Sequence, residues 1–275
     1  MKTLVAATDF SPGSLNAVRY AADMACYLKA DLVLLHVCPI PDSINELAVT
    51  DEGLGNALIC AGEEIELLKK ELLRITGEKI IILTEVRVGD VAGQLKDFCE
   101  TIHPYAVVMG PCEAGGAETL LYGSTCLQAV RDTRWPLLIV PSGIRFKQIR
   151  KVVMACDLKD IPESIPIDSV KRLVQDFRAH LYVLHINETG QSLSELAFSD
   201  AFKKLGEIMK DLHPAYRFTG KEAVDKGILS FVERNSFDLL IVLPKIHSLP
   251  ARLFHKSHSR QLVLQTHTPV LSLHN

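Results

Sequence analysis

The sequence predicts an α/β protein made of two copies of one doubly wound domain, and three observations lead to this prediction. Short apolar runs alternate with longer segments of helical period along the whole chain. Runs such as Leu32–Val37 are apolar at nearly every position, which is typical of strands buried on both faces of a parallel sheet. The second half then repeats the pattern of the first. We therefore expect each half to be a five-stranded parallel sheet flanked by helices.

The first half carries the clearest signals for individual elements. Residues 14–30 place apolar side chains on one face at helical spacing, which predicts an amphipathic helix. Ser11 is placed to cap this helix, and Pro12 suits its first turn. A further helix is predicted over Glu63–Arg74, where glutamates precede lysines at helical spacing. The predicted strands are Thr3–Ala7, Leu32–Val37, Lys79–Val88, Ala106–Met109 and Leu137–Val140.

The repeat also fixes the predicted domain boundaries. The run that ends at Asp9 recurs 148 residues later at Asp157, and the run around Pro136 recurs 133 residues later around Pro269. The first half therefore contains 15 additional residues, which we place in an irregular loop over residues 39–58. The polar, aperiodic stretch 142–148 separates the halves. The predicted domains are residues 1–143 and 149–275.

The composition excludes several classes of protein. The 30 basic and 33 acidic residues give a net charge of −3, so the chain lacks the basic surplus expected of a nucleic-acid-binding protein. No apolar run approaches the ~20 residues of a membrane helix, and Asp9 interrupts the first run too early for a signal peptide. The seven cysteines include no CxxC pair, which predicts core residues in a reducing compartment and leaves Cys112 as the candidate redox thiol. We expect a cytoplasmic protein.

Candidate site residues follow the first, second and fourth strands. In an open parallel sheet, ligands bind beyond the carboxyl ends of the strands, where the strand order reverses. Thr8 and Asp9 follow the first strand, and a glycine-containing segment leads from Gly110 to Gly123 at the head of a predicted helix. Such a helix N-terminus, approached through glycines, forms a cradle for an anion. The chain has no GxxxxGK[ST] motif, which excludes a P-loop ATPase, and no GxSxG nucleophile elbow.

The histidines do not indicate catalysis or a metal site. His36 and His185 occupy matching strand ends, where we expect partly buried, hydrogen-bonded side chains rather than catalytic bases. A zinc site needs at least a third fixed ligand, which the C-terminal histidines lack, so we predict a solvated surface there. No catalytic residue is assigned. The C-terminal histidines are His247, His255, His258, His267 and His274.

The repeated halves, the strand that ends in Asp9, the LHV strand end and the Gly110 segment together resemble the universal stress protein family in its tandem-domain form. This resemblance covers the whole chain and implies Rossmann-like (adenine nucleotide alpha hydrolase-like) domains. Nucleotide-binding members of the family carry Gly-x2-Gly-x9-Gly-Ser/Thr. Gly110, Gly123 and Ser124 match this motif, whereas Glu113 replaces its second glycine. The implied adenine-nucleotide site is lined by Thr8, Asp9, Val37, Met109, Gly110, Gly123, Ser124 and Thr125.

The second half departs further from the motif. Leu243, Ile246 and Lys256 stand at the three glycine positions, and Ser257 alone is retained. The second domain is therefore predicted to be a degenerate copy without a site. The resemblance also implies an intramolecular pseudo-dimer in which the last strands of the two halves pair, and a further homodimer stays open.

Three functions remain open at the level of sequence. The leading hypothesis is a cytosolic stress-response protein that acts by binding rather than turnover, with at most one weak adenine-nucleotide site in the first domain. The alternatives are an ATP-binding sensor with slow hydrolysis and a protein-interaction scaffold without nucleotide. ATP is the candidate cofactor, accompanied by Mg²⁺, because a metal ion would offset the charge of Glu113. The protein partner is not identified by the sequence.

Overall fold

The chain folds into two compact units, Met1–Phe146 and Lys147–Asn275. A computed structural model describes them over residues 1–39, 51–111, 134–156, 165–187, 199–220, 224–243 and 266–274. Each unit is an α/β domain with one parallel sheet, as the sequence predicts. Within the described ranges, no helix combines the length and apolar character needed to cross a membrane.

The first unit has the strand order of a doubly wound sheet. Its strands lie in the order β3-β2-β1-β4-β5, so the chain moves outward from β1 to β3 and then returns to the other side of β1. The strand order therefore reverses between β1 and β4, which is the position where such sheets bind ligands. The elements are β1 (Thr3–Thr8), α1 (Pro12–Leu28), β2 (Asp31–Cys38), α2 (Asp51–Thr76), β3 (Ile82–Val88), α3 (Val91–Ile102), β4 (Ala106–Met109) and β5 (Leu137–Ile139).

Helix α1 begins where its capping residues predict. The Ser11 side chain accepts a hydrogen bond from the Ser14 amide, and Pro12 occupies the first turn. Lys29 ends the helix in a left-handed conformation (φ 52°), from which its amide bonds back to carbonyls of the last turn. The helix thus starts and ends two residues earlier than the predicted range 14–30. Its small apolar face is fully buried against the sheet at Ala17, Val18, Ala21 and Ala25.

The prediction of an irregular loop over residues 39–58 is wrong for its last part, because helix α2 already begins at Asp51. Gly53 and Gly55 each lower helix propensity, which favoured a loop. Extending an existing helix, however, avoids the cost of nucleation. The buried residues Ala61, Ile65, Leu68 and Leu72 fix that helix against the sheet. Residues 40–50 lie outside the described part of the chain.

The second unit has the same topology. Its five parallel strands lie in the order β8-β7-β6-β9-β10, so the order reverses between β6 and β9. A short 3-10 turn, Lys210–Leu212, follows its second helix. The elements are β6 (Lys151–Ala155), α4 (Ile167–Phe177), β7 (His180–Asn187), α5 (Asp200–Met209), β8 (Ala215–Gly220), α6 (Val224–Asn235), β9 (Leu239–Val242) and β10 (Val270–Ser272).

The repeat holds at the level of single residue pairs. Leu4 pairs with Leu32 in β1 and β2, and Val152, 148 residues after Leu4, pairs with Leu181 in β6 and β7. Val107 pairs with Leu137, and the residues 133 positions later, Leu240 and Val270, also pair. Matching positions of the two units can therefore be compared directly.

Candidate functional site

The carboxyl ends of β1 and β4 bring four predicted site residues together. Ala6 of β1 pairs with Val108 of β4. Thr8 and Gly110, each two residues further along, therefore lie side by side where the two strands end. Asp9 and Met109 are the neighbours of these two residues in the sequence. Predicted residues from distant parts of the chain thus meet where the strand order reverses.

One apolar residue of the sheet, Ala7, is partly exposed at this point. Ala7 pairs with Leu35 in β2, so Ala7, Leu35 and Val37 lie on the same face, and Met109 continues that face on β4. Val37 and Met109 are buried, whereas the smaller Ala7 between them is partly exposed. This face offers a small apolar surface beside Asp9. Sequence reasoning missed Ala7, although strand alternation places it on the same face as Val37 once the register is known.

On the other face, Thr8 and Ser14 fix the loop between β1 and α1. The buried hydroxyls Thr8 Oγ1 and Ser14 Oγ lie 3.0 Å apart. Ser14 Oγ donates to the Ser11 carbonyl (3.1 Å) and accepts from the Asp9 amide (3.4 Å). Because the single hydroxyl proton of Ser14 goes to the Ser11 carbonyl, the Thr8 hydroxyl is the donor in the pair. Ser14 was not among the predicted site residues, but it determines where Asp9 lies.

Asp9 presents an exposed carboxylate at the mouth of the site. Its Oδ1 accepts a hydrogen bond from the Ser11 amide at 3.0 Å. Partial burial raises the pKa of Asp9, but interactions with the polar groups of Ser11 and Ser14 outweigh that effect and hold the pKa below its ordinary value. The group is therefore charged at neutral pH. It can accept hydrogen bonds from hydroxyl or amino groups of a ligand and repels phosphate.

Amides at the N-terminus of α1 donate to acceptors within their own loop. The Ser14 amide donates to Ser11 Oγ (3.3 Å), and the Leu15 amide donates to the Ser11 carbonyl (2.9 Å). Pro12 has no amide proton, and Asp9 places a negative charge beside this turn. The sequence motif assigns a bound anion to the segment that follows Gly110. Glu113, Gly123, Ser124 and Thr125 belong to that chain and lie outside the described residues.

Gly110 has a packing role that the sequence did not indicate. A Cβ atom at this position would lie 2.3 Å from the Gly13 carbonyl oxygen and 2.8 Å from the Ser14 nitrogen. A Cβ at Gly13 would in turn lie 2.9 Å from the Pro111 carbonyl oxygen. The end of β4 thus packs backbone against backbone on the first turn of α1. This contact couples the position of the Gly110 segment to that of Asp9.

An aromatic pair covers the end of β2. Phe10 has a left-handed backbone conformation (φ 60°), and its ring centroid lies 4.6 Å from that of His36. His36 Nδ1 is 2.8 Å from the Thr8 carbonyl oxygen, and His185 Nδ1 is 3.1 Å from that of Cys156. The prediction that both histidines are hydrogen-bonded residues at strand ends is confirmed.

The described helix that follows the first strand begins later in the second unit than in the first. Helix α1 begins four residues after β1 ends, whereas α4 begins 12 residues after β6 ends. The residue before α4, Pro166, provides no side-chain cap. Leu243 stands where the first unit has Gly110, so a side chain occupies the position at which the first unit has none. Ile246, Lys256 and Ser257 lie outside the described residues.

The described residues contain no cluster of three or more His, Cys, Asp or Glu side chains that could hold a metal ion. Their five cysteines are free thiols, and burial raises the pKa of Cys99 to about 12. Cys99 is therefore an unreactive core residue. The candidate redox thiol Cys112 and the histidines at 247, 255 and 258 lie outside this part of the chain.

Fold and site define a protein with two α/β domains and a candidate ligand site in the first. The chain belongs to the universal stress protein family, whose family model matches residues 1–141. A universal stress protein of Methanocaldococcus jannaschii is 27% identical over 139 residues, which are 50% of this chain and 81% of that protein.

Two solved structures share the fold. A universal stress protein from Archaeoglobus fulgidus has a TM-score of 0.76 at 16% identity, with 99% of this chain and 98% of that chain covered. A functionally unknown protein from Pseudomonas aeruginosa has a TM-score of 0.63 at 11% identity, with 99% and 92% covered. At these identities the likeness shows the fold alone.

Proposed function

We propose that this protein acts by binding, and that its first unit alone takes an adenine nucleotide at the point where β1 and β4 diverge. The observation that carries the proposal is the exposed Asp9 carboxylate beside the partly exposed Ala7, which shares an apolar face with the buried Val37 and Met109. The apolar face suits a flat heteroaromatic base. The carboxylate suits the hydroxyl groups of a ribose, which are hydrogen-bond donors.

The phosphates are assigned to the segment that begins at Gly110. The N-terminus of α1 supports this assignment, because the amides of Ser11, Ser14 and Leu15 donate within the loop. We expect Gly123 and Ser124, which match the family motif, and the adjacent Thr125 to supply amides and hydroxyls for the phosphates. Glu113 adds a negative charge to the same segment, so we expect weak ATP binding in the absence of Mg²⁺.

Turnover is not part of the proposal, because the described residues offer no general base at this site. The His36 imidazole lies at the neighbouring end of β2, but its Nδ1 contacts the Thr8 carbonyl and its ring lies against Phe10. Asp9 is held as a carboxylate with a lowered pKa, which makes it a weak base. The arrangement therefore favours a binding protein over an ATPase.

Isothermal titration with ATP tests the proposal. We expect one nucleotide per chain, tighter binding with Mg²⁺ than without it, and tighter binding for Glu113→Gly. Removing a like charge about 4 Å from a solvated phosphate is worth about 1 kcal/mol, or roughly fivefold in affinity. Gly123→Val should abolish binding, because a branched side chain blocks the approach of the phosphate.

The matched control is Lys256→Val, which changes the corresponding position of the second unit and should leave binding intact. Two nucleotides per chain, or an unchanged affinity for Glu113→Gly, would contradict the assigned site. If ATP with or without Mg²⁺ neither binds nor raises the melting temperature, the nucleotide-free scaffold is the better description.

A further inference from the structure

Strand β3 is the end strand of the first sheet, and its outer side presents a row of backbone groups. The Leu32 amide bonds to the Ile81 carbonyl (2.9 Å), and the Gly89 amide bonds to the Cys38 carbonyl (3.0 Å). Successive residues of a strand point their backbone groups alternately to its two sides, so the amides and carbonyls of the odd-numbered residues between them also point toward β2. The amides and carbonyls of Ile82, Thr84, Val86 and Val88 therefore point outward. Among the described strands, none pairs with this side.

The same edge exposes apolar side chains. Ile81 is 54% exposed and Leu83 is 52% exposed, and the two lie on one face of the strand. Apart from Met1, the exposed large apolar side chains of the described chain all belong to residues 27–83. An open edge flanked by exposed apolar residues is a site for pairing with another strand.

We propose that β3 pairs in antiparallel orientation with β3 of a second copy, forming a homodimer about a two-fold axis at Val86. In this register Val86 pairs with Val86 of the second copy, and Thr84 pairs with Val88. These are the residues whose backbone groups point outward, so every pair can exchange both of its hydrogen bonds. The pairs also place β-branched side chains opposite each other, which stabilises a sheet.

The charges of the strand fit this register. Glu85 and Arg87 lie on either side of Val86, so the two-fold axis places Glu85 of each copy opposite Arg87 of the other. They would occupy pairs without backbone hydrogen bonds, in which opposing Cα atoms are about 4.5 Å apart. Within one chain, Glu85 Oε1 already contacts Arg87 Nε at 2.9 Å. The dimer would extend this contact into a network of four charges. Leu83 would lie opposite Gly89, whose missing side chain leaves room for it.

Strand β8, the end strand of the second sheet, lacks these features. Its sequence AYRFTG contains one charged residue, Arg217, so self-pairing would bring no opposite charges together. None of its described side chains is a large apolar group with high exposure. Pairing of β3 with β8 of another copy would be heterologous and could continue into filaments. Self-pairing of β3 uses the same edge on both copies, so no edge is left for a third copy and the assembly stops at a dimer.

Sedimentation of the full chain over a concentration series tests the dimer. A single pair of strands buries less than a standard interface, so we expect a reversible dimer with micromolar dissociation constants. Val86→Pro should abolish it, since proline removes an outward amide that the fold itself does not use. Glu85→Arg should weaken it about tenfold or more by placing like charges opposite each other. The double variant Glu85→Arg/Arg87→Glu should restore it, and Arg217→Glu on β8 should have no effect.

Hydrogen exchange provides an independent readout of the register. The amides of Thr84, Val86 and Val88 should exchange more slowly as protein concentration rises, whereas those of Leu83 and Glu85 should not change. Circular dichroism verifies that each variant is folded. If Val86→Pro does not fold, the charge variants test the proposal. A chain that stays monomeric throughout, a dimer insensitive to Glu85→Arg, or a double variant that fails to recover would overturn the proposal.

Discussion

Replacing Gly110 with alanine is expected to lower the free energy of unfolding by about 1–3 kcal/mol, the usual cost of overpacking. The added Cβ would lie 2.3 Å from the Gly13 carbonyl oxygen and 2.6 Å from its carbonyl carbon. Both are backbone atoms in the first turn of α1, so no side-chain rotation can relieve the clash. The turn must move away from β4, and Asp9 moves with it because Ser14 and Ser11 hold it there. Nucleotide binding should therefore weaken as well.

Urea denaturation followed by circular dichroism measures the loss of stability. Gly206→Ala is the matched control, because a Cβ at this position of helix α5 meets no atom within 4 Å. That change should leave stability unchanged or raise it by up to about 1 kcal/mol, since alanine favours a helix over glycine. If Gly110→Ala proves as stable as the wild type, the close contact between β4 and α1 is not a constraint on the fold.

Much of the fold was predictable because the signals are local and repeated. The capping pair Ser11 and Pro12 marks the start of α1 within the chain itself, and β4 is buried at all four positions, as its continuous apolar run indicates. The repeated motifs pair in the same way in both sheets, at spacings of 148 residues for β1 and β6, 149 for β2 and β7, and 133 for the last two strands of each unit. The start of α2 at Asp51 was missed because two glycines outweighed a helical pattern that continues from the following turns.

The geometry of the candidate site was only partly predictable, because it depends on contacts between distant residues. The sequence identified Thr8, Asp9 and Gly110 as residues that follow strands. It could not show that Gly110 packs on Gly13, since nothing local links residues almost 100 positions apart. Nor could it show that Ala7 shares a face with Val37, because that depends on the strand register. The roles of Gly123, Ser124 and Thr125 stay predictions.

Replacing Asp238 with asparagine should destabilise the second unit in a way that depends on pH. Asp238 precedes β9 and has a largely buried side chain, 12% exposed. Its Oδ2 accepts hydrogen bonds from the amides of Arg150 and Lys151, each at 2.9 Å, and its Oδ1 lies 3.0 Å from Lys147 Nζ. Hydrogen bonds to a charged group contribute about 1.5–3 kcal/mol, so we expect a loss in this range at pH 7.

The direction of the pH dependence follows from the lowered pKa of Asp238. Burial raises this pKa, but the two amides and Lys147 outweigh burial and hold it below the ordinary value. The folded state therefore binds the proton more weakly than the unfolded chain, in which the pKa is about 3.9. The stabilisation is complete above that value and is lost as the pH falls through the lower pKa of the folded state.

Urea titrations of the wild type and Asp238→Asn between pH 7 and pH 2.5 should thus give stabilities that converge below about pH 4. Asp211→Asn is the control, because Asp211 pairs with Lys171 on the surface and its side chain is 62% exposed. Exposed ion pairs contribute little, so this variant should stay close to the wild type. The first unit has Tyr105 at the position of Asp238, and its amide bonds to Thr3 as the Asp238 amide bonds to Lys151. Because Tyr105 carries no carboxylate, the pH-dependent loss should be confined to the second unit. A stability difference between Asp238→Asn and the wild type that stays constant down to pH 2.5 would show that the carboxylate charge is not what stabilises the start of β6.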